Sequence, residues 1–170
     1  MTEYQSLDIT EKEYKLSNKY TLWFHHIDDT SFEDSSFTNI YENIDSIKKF
    51  IVLLNNIPII TSGMFFFMKH NYFPKLNKYK DGGLWTFKVS KKNANESWEN
   101  ICSSFIGNTL MKNVDDMKSI IGISISPKIN NCIIKIWNIN KNKTNTNLIS
   151  DEIPLIHPND ACYKHNRSFF

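Results

Sequence analysis

The run IIGISISPKINNCIIKIW, residues 120–137, alternates apolar with small or polar residues on either side of a short polar break. Only a pleated strand puts positions i and i+2 on one side, so the run reads as two antiparallel strands joined by a turn. Ile121, Ile123 and Ile125 are expected on one face of the first strand, with Gly122, Ser124 and Ser126 on the other. In the second strand Ile134 and Ile136 share a face, and Ile133, Lys135 and Trp137 share its opposite. All-isoleucine faces need a covering layer, and helices are expected over them. Trp137 and Lys135 are left together on the less apolar side. A ring and a cation side by side can take up an aromatic anion such as a nucleotide. Taken alone, the plainer reading is a tryptophan covering the sheet and a lysine snorkelling past it.

Further segments extend that sheet. KYTLWFHHI (19–27), FTNIYEN (37–43), GMFFFMKH (63–70) and GLWTFKVSK (83–91) read as strands, and Trp85, Phe87 and Val89 share one face of the last. Two stretches have helical spacing instead. In IDSIKKFIVLLNNIP (44–58), Ile44, Ile47, Phe50 or Ile51, and Leu54 form a stripe; Asp45 or Ser46 can cap its start, and Pro58 follows its end. In NANESWENICSSFIG (93–107) the stripe is Trp98, Ile101, Cys102 and Phe105, with Gly107 as the stop. Residues 1–15 are expected to be a disordered arm, residues 16–170 a single domain, and NRSFF (166–170) a last strand. Ile and Phe lead the apolar residues, Ala and Leu are scarce, and four Trp and seven Tyr add to them, which favours sheet. The order β-β-α-β-β-α-β-β makes the fold class α+β: an antiparallel sheet with helices on one face.

Net charge is only +2, which argues against broad nucleic-acid coating, so any anion site must be local. Cys102, Cys132 and Cys162 are odd in number and form no CxxC pair, which suits free thiols in a reducing compartment better than a metal site. The polar N-terminus is no signal peptide, and no stretch is apolar enough for a membrane span. No nucleophile elbow, phosphate-binding Walker loop or zinc-protease motif occurs, so neither catalysis nor a cofactor is expected. Two loops stand out. Phe32 lies in DDTSFEDSS among four acids, with no periodic pattern to bury it. FPKLNKYKDGGLW (73–85) carries Lys75, Lys78 and Lys80 around Tyr79, then Gly82-Gly83. It is either a charged hairpin tip or the lip of a site for something anionic and aromatic.

Together these segments resemble the translation initiation factor 4E family, which binds the 7-methylguanosine cap of messenger RNA. YTLWFHHIDD, IDSIKKFIVLLNNIP, KDGGLWTFKVSKK, SWENICSSFIGN and IGISISPKINNCIIKIW carry the resemblance, in family order and near-family spacing from Lys19 to the C-terminus. It implies a curved antiparallel sheet with helices on the convex back and the cap in the concave front. It also implies a monomeric, cytoplasmic, non-enzymatic factor that binds capped mRNA, without cofactor or membrane. The A/T-rich coding bias behind the abundant Lys, Asn and Ile fits a large DNA virus, acting in host cytoplasm, or an A/T-rich parasitic protist.

Carried over residue by residue, the resemblance puts Phe32 at the first stacking tryptophan and Trp137 at the tryptophan that touches the methyl group. Lys128 stands at a phosphate-binding arginine. Lys135, two positions beyond Ile133 where the family has its second phosphate cation, is the candidate replacement. The family's Pro-x-Trp-Glu is Pro74-Lys75-Leu76-Asn77 here, in a loop about two residues shorter. Two substitutes for the missing ring and carboxylate remain open: Tyr79 with Asp81, or Leu76 with Asn77. On the back, Ile51 and Glu99 replace the Trp and Leu that grip a helical peptide of the 4G scaffold, Asn100 replaces an acid, and Ile47 keeps an apolar contact. That implies weak binding of ordinary scaffold peptides, and a co-adapted 4G-like partner or none. Only 33 residues follow Trp137, so the family's third helix is expected to be cut short. Two functions are implied: a cap-binding initiation factor with an altered base-recognition loop, or a relative without cap selectivity that acts as a decoy or regulator of translation.

Overall fold

The computed structural model describes residues 14–57 and 63–169. Pro58 and residues 1–13 of the expected arm lie outside them. Seven strands form one sheet: β1 (Lys15–His26), β2 (Phe37–Ser46), β3 (Gly63–Lys69), β4 (Gly83–Ser90), β5 (Ile120–Pro127), β6 (Asn131–Asn138) and β7 (Cys162–His165). Their order is β2-β1-β3-β5-β6-β4-β7, and every neighbouring pair is antiparallel. Helices α1 (Ile47–Asn56) and α2 (Ala94–Ile106) both pack on one side.

That side holds the main core. Tyr20 stacks on Phe67 at 5.1 Å and meets Phe105 of α2 edge-on at 5.2 Å, while Phe50 of α1 sits 5.9 Å from Phe67. Trp85, Phe87 and Val89 point into this layer, as do Ile123, Ile125, Ile134 and Ile136. The α2 stripe of Trp98, Ile101, Cys102 and Phe105 is buried as its spacing predicts. The opposite side of the sheet carries a second cluster with no α-helix over it: Phe37, Phe66, Met68, Leu84, Ile121 and Trp137.

Ile121 corrects the expected face pattern. The β5–β6 register slips between Ile120 and Gly122, and this bulge turns Ile121 forward to join Trp137 while Ile120 takes its place in the core. Beside it Gly122 makes room for a neighbour: a Cβ there would lie 2.2 Å from Met68 Sδ and displace that side chain.

Helix ends differ from expectation too. Ile44 belongs to β2, paired with Tyr20 and fully buried, so it is not part of the helical stripe, and α1 starts at Ile47. Ser46 caps it, its Oγ accepting from the Lys49 N–H, while Asp45 pairs with the Lys49 ammonium at 2.7 Å. This phase buries Phe50 and Leu53 and turns Ile47 and Ile51 outward. In α2, Gly107 keeps right-handed φ, −77°; Asn108, at φ 58°, makes the left-handed stop.

The last strand is Cys162–His165 rather than NRSFF, whose first four residues form a 3-10 turn. Tyr163 sets the strand against β4 by packing edge-on to Trp85 at 5.3 Å. Between β6 and β7 the described chain makes only short 3-10 turns, and Ile149, Ile153 and Ile156 fill the core from them.

Candidate functional site

This front face contains a cavity of about 570 Å³. Its floor comes from β3, β5 and β6: Phe66, Ser124, Ser126 and Trp137. One lip is Phe32; the other is Pro74, Lys75, Leu76 and Asn77, with Lys128 and Lys135 at the margin. The strand alternation that sends Ile134 and Ile136 to the core necessarily sends Lys135 and Trp137 here. Trp137 is only 3% exposed; its Nε1–H donates to Ser124 Oγ at 2.9 Å, and its ring meets Phe66 edge-on at 6.0 Å. It is therefore a fixed floor.

Phe32 is 51% exposed, yet its loop is held. Asp29 Oδ1 accepts from the Ser31 N–H at 2.8 Å, and the Phe32 ring lies parallel to His25 at 4.5 Å. His25 is fully buried, its Nε2 2.7 Å from the Ser31 carbonyl and its Nδ1 2.9 Å from that of His26. This histidine backs the ring. Its place follows from strand parity, which puts His25 on the same side as Trp23, among the side chains packed on the front cluster.

The residues of the two open alternatives are placed differently on the second lip. Leu76 and Asn77 face the cavity. Tyr79 is turned away: its hydroxyl donates to the Phe73 carbonyl and accepts from the Phe73 N–H, both at 2.9 Å, and its ring packs on Tyr72. Burial pushes its phenol above the usual range. Asp81 pairs with Arg167, outside the cavity.

The lysines fall into two groups. Lys75 and Lys78 are neutralised by the facing loop: Nζ of Lys75 is 2.8 Å from Asp34 Oδ1, and Nζ of Lys78 is 3.2 Å from Oδ2. Lys75, then Lys78, hold the Asp34 carboxyl below its ordinary value. A depressed carboxylate keeps its pairing at neutral pH and loses it as pH falls through that lowered value. Lys128 and Lys135 make no ion pair among the described residues. Burial, then the nearby Lys128 and Lys164, lowers the Lys135 amine below the usual range. An uncompensated, partly desolvated cation at a cavity mouth favours an incoming anion.

On the back, Ile47 and Ile51 are exposed on α1, Glu99 is exposed on α2, and Asn100 donates from Nδ2 to the Pro154 carbonyl at 3.3 Å. No group of His, Cys, Asp and Glu among the described residues could hold a metal ion, and none of their helices is long and apolar enough to cross a membrane.

A curved seven-stranded antiparallel sheet, helices behind and a ring-lined hollow in front, is the architecture of initiation factor 4E-like α+β proteins. The family model described as Eukaryotic initiation factor 4E matches residues 15–161, and the chain belongs to that family. Among solved structures, a schistosome eIF4E complexed with m7GpppA and 4E-BP superposes with a TM-score of 0.70 at 16% identity, covering 78% of this chain and 75% of its own. Ascaris suum eIF4E-3 with m7G cap gives 0.68 at 17% identity, over 77% and 76%. C. elegans eIF4E-3, in complex with the 4E-binding protein Mextli and a cap analog, gives 0.75 at 14% identity, over 92% and 95%. At these identities the likeness is one of fold.

Proposed function

We propose that this protein binds the 7-methylguanosine cap of mRNA in the front hollow, as a monomeric cytoplasmic translation initiation factor with an altered base-recognition loop. One observation carries the reading: an exposed ring, Phe32, and the Leu76–Asn77 lip flank one cavity over Trp137, with two uncompensated lysines at its mouth. Methylation leaves guanine with a delocalised positive charge, which the face of Phe32 attracts by about 0.5–2 kcal/mol. Leu76 packs on the other face without a quadrupole. Asn77 reads the base edge through one neutral amide oxygen. Such a hydrogen bond is worth about 0.5–1.5 kcal/mol, against roughly 1.5–3 for bonds to a charged group. Trp137 bounds the methyl group, and Lys128 and Lys135 take the phosphates. Selectivity for the methylated base is therefore retained at reduced amplitude.

Calorimetric titration with 7-methyl-GTP and GTP tests this. Tighter binding of 7-methyl-GTP is expected, and Leu76→Trp, which supplies the second ring, should raise its affinity by about 2- to 30-fold. Equal affinity for the two nucleotides, or none, defeats the reading. The same result would favour the alternative of a family member that works only through proteins.

On the back, we infer a helical partner of the 4G or 4E-binding type, in keeping with the 4E-BP and Mextli complexes of the structural neighbours. Its apolar contacts are Ile47 and Ile51. Glu99 penalises a partner helix that brings leucine to this place, because the carboxylate would lose water without gaining a donor, while Asn100 supplies no charge. Ordinary scaffold peptides should bind weakly, and Glu99→Leu should strengthen them roughly tenfold. Tight binding of such a peptide to the unaltered protein, by fluorescence anisotropy, would contradict this.

A further inference from the structure

We propose that Asp34 is a positioning residue for cap recognition, a latch that ties the Phe32 lip of the hollow to the Leu76–Asn77 lip before any ligand arrives. The proposal rests on the cap-binding reading and explains what the lysines of the second lip are for. Asp34 lies two residues beyond Phe32, and Lys75 immediately precedes Leu76. The two loops are 41 residues apart in sequence at this contact. One carboxylate accepts from both Lys75 and Lys78, and Glu33 Oε2 stands 3.5 Å from Lys75 as a second acceptor. Lys78 is further held over the Phe73 ring, 4.3 Å from its centroid.

A single exposed ion pair usually contributes little, because solvent screens it and two long side chains must be ordered. Three features set this one apart. It is a network of three ionic contacts among four residues, Glu33, Asp34, Lys75 and Lys78, rather than a pair. The Lys75 side chain is only 18% exposed, so its stem is already fixed by packing. And among the described residues no backbone hydrogen bond joins the lips. At their base Phe37 meets Phe73 edge-on at 5.3 Å; at their tips the ionic contacts connect them. His25 holds the inner end of the Phe32 loop and Asp34 the outer end.

The chemistry follows from what the lips do. Cation–π attraction and apolar packing are short-ranged, so they depend on the spacing between Phe32 and Leu76. Lips that fluctuate must be ordered when ligand binds, at the expense of affinity; lips already joined need no such ordering. The latch therefore acts on recognition of the base, whereas Lys128 and Lys135 act on the phosphates from the sheet and are independent of it. It also makes methyl discrimination sensitive to ionic strength, since exposed charges are screened within a Debye length.

The test uses the full chain and three probes, 7-methyl-GTP, 7-methyl-GMP and GTP, titrated at about 50 mM and about 500 mM salt. In the ratio of 7-methyl-GTP to GTP affinity the phosphate contribution cancels. For Asp34→Asn, and for the double variant Glu33→Gln/Asp34→Asn in which Glu33 cannot take over, that ratio should fall roughly two- to tenfold at low salt. The ratio of 7-methyl-GTP to 7-methyl-GMP should stay at the wild-type value. Raising salt should lower the first ratio in wild type and leave it flat in the variants. A double variant with the wild-type ratio at both salts overturns the proposal, as does an equal loss in both ratios, which would mark a general structural effect. Amide hydrogen exchange on the free protein gives a ligand-independent arm. Residues 31–36 and 76–79 should both exchange faster in the variants, and loosening of neither, or of only one, overturns the latch. If wild type binds none of the three probes the cap reading fails, while the exchange arm still decides whether the lips are tied.

Discussion

Replacing Phe32 with alanine is expected to weaken 7-methyl-GTP binding by roughly 5- to 150-fold, equivalent to about 1–3 kcal/mol, the usual worth of one aromatic stacked on a base. The argument is one of division of labour. In the proposed site Lys128 and Lys135 meet phosphates that GTP and 7-methyl-GTP share, so their contribution cannot tell the two apart, while Leu76 offers the base area and dispersion but no quadrupole. Phe32 is the only exposed ring among the residues lining the hollow; Phe37, Phe66 and Trp137 are buried there. Its loss should therefore also bring the affinities for methylated and unmethylated nucleotide close together. Folding should hardly notice. The ring is half exposed, and it covers a histidine that keeps both of its carbonyl contacts without it. A shift in melting temperature no larger than about 2 °C is expected for a change of that kind. Titration of the variant beside a thermal melt separates the two quantities. Unchanged 7-methyl-GTP affinity in a folded Phe32→Ala protein would remove the ring from the site.

The fold was legible where a pattern repeats over several turns or pleats. The α2 stripe needed only its spacing, and β6 needed only alternation, because each residue there reinforces the same face. Legibility failed where one residue breaks the count. Nothing in IIGISIS announces the bulge that swings Ile121 forward, since Ile120 and Ile121 are the same residue and either can take the core place. Ile44 fitted a helical stripe as well as a strand end, and its pairing with Tyr20, a long-range contact, decided the matter. The site divided along the same line. Trp137 and Lys135 followed from strand parity. That Tyr79 and Asp81 turn away from the hollow that Leu76 and Asn77 line depends on a hydroxyl folded back onto the Phe73 backbone and on an arginine 86 residues away, neither of which has a local signal. The acid-rich and lysine-rich loops were visibly complementary in charge. That Asp34 in particular takes two lysines is a fact of three-dimensional placement.

Trp137→Ala is expected to have the largest effect on stability of any change at the site, a loss of about 3–5 kcal/mol, the range for truncating a buried tryptophan or phenylalanine. For a chain of this size each kcal/mol moves the melting point by about 2–4 °C, so a drop of roughly 6–20 °C should be seen. The reason is that no α-helix among the described residues covers the front cluster; only the short 3-10 turn Leu76–Tyr79 packs on it. Phe37, Phe66, Met68, Leu84 and Ile121 close around the indole, and the Ser124 hydroxyl is directed by its N–H. Removing the indole extends the hollow into the sheet and leaves the cavity uncompensated. Trp137→Phe separates packing from function. It refills most of the volume and gives up one neutral hydrogen bond, about 0.5–1.5 kcal/mol, so the fold survives and binding can be compared. If Trp137 bounds the methyl group, this variant should lose more affinity for 7-methyl-GTP than for GTP. Equal losses would make the tryptophan a floor that supports the walls without reading the ligand. A Trp137→Ala protein that melts like wild type would mean that the front cluster does not hold the hollow in shape, and rigid placement of Phe32 and Leu76 would then need another source.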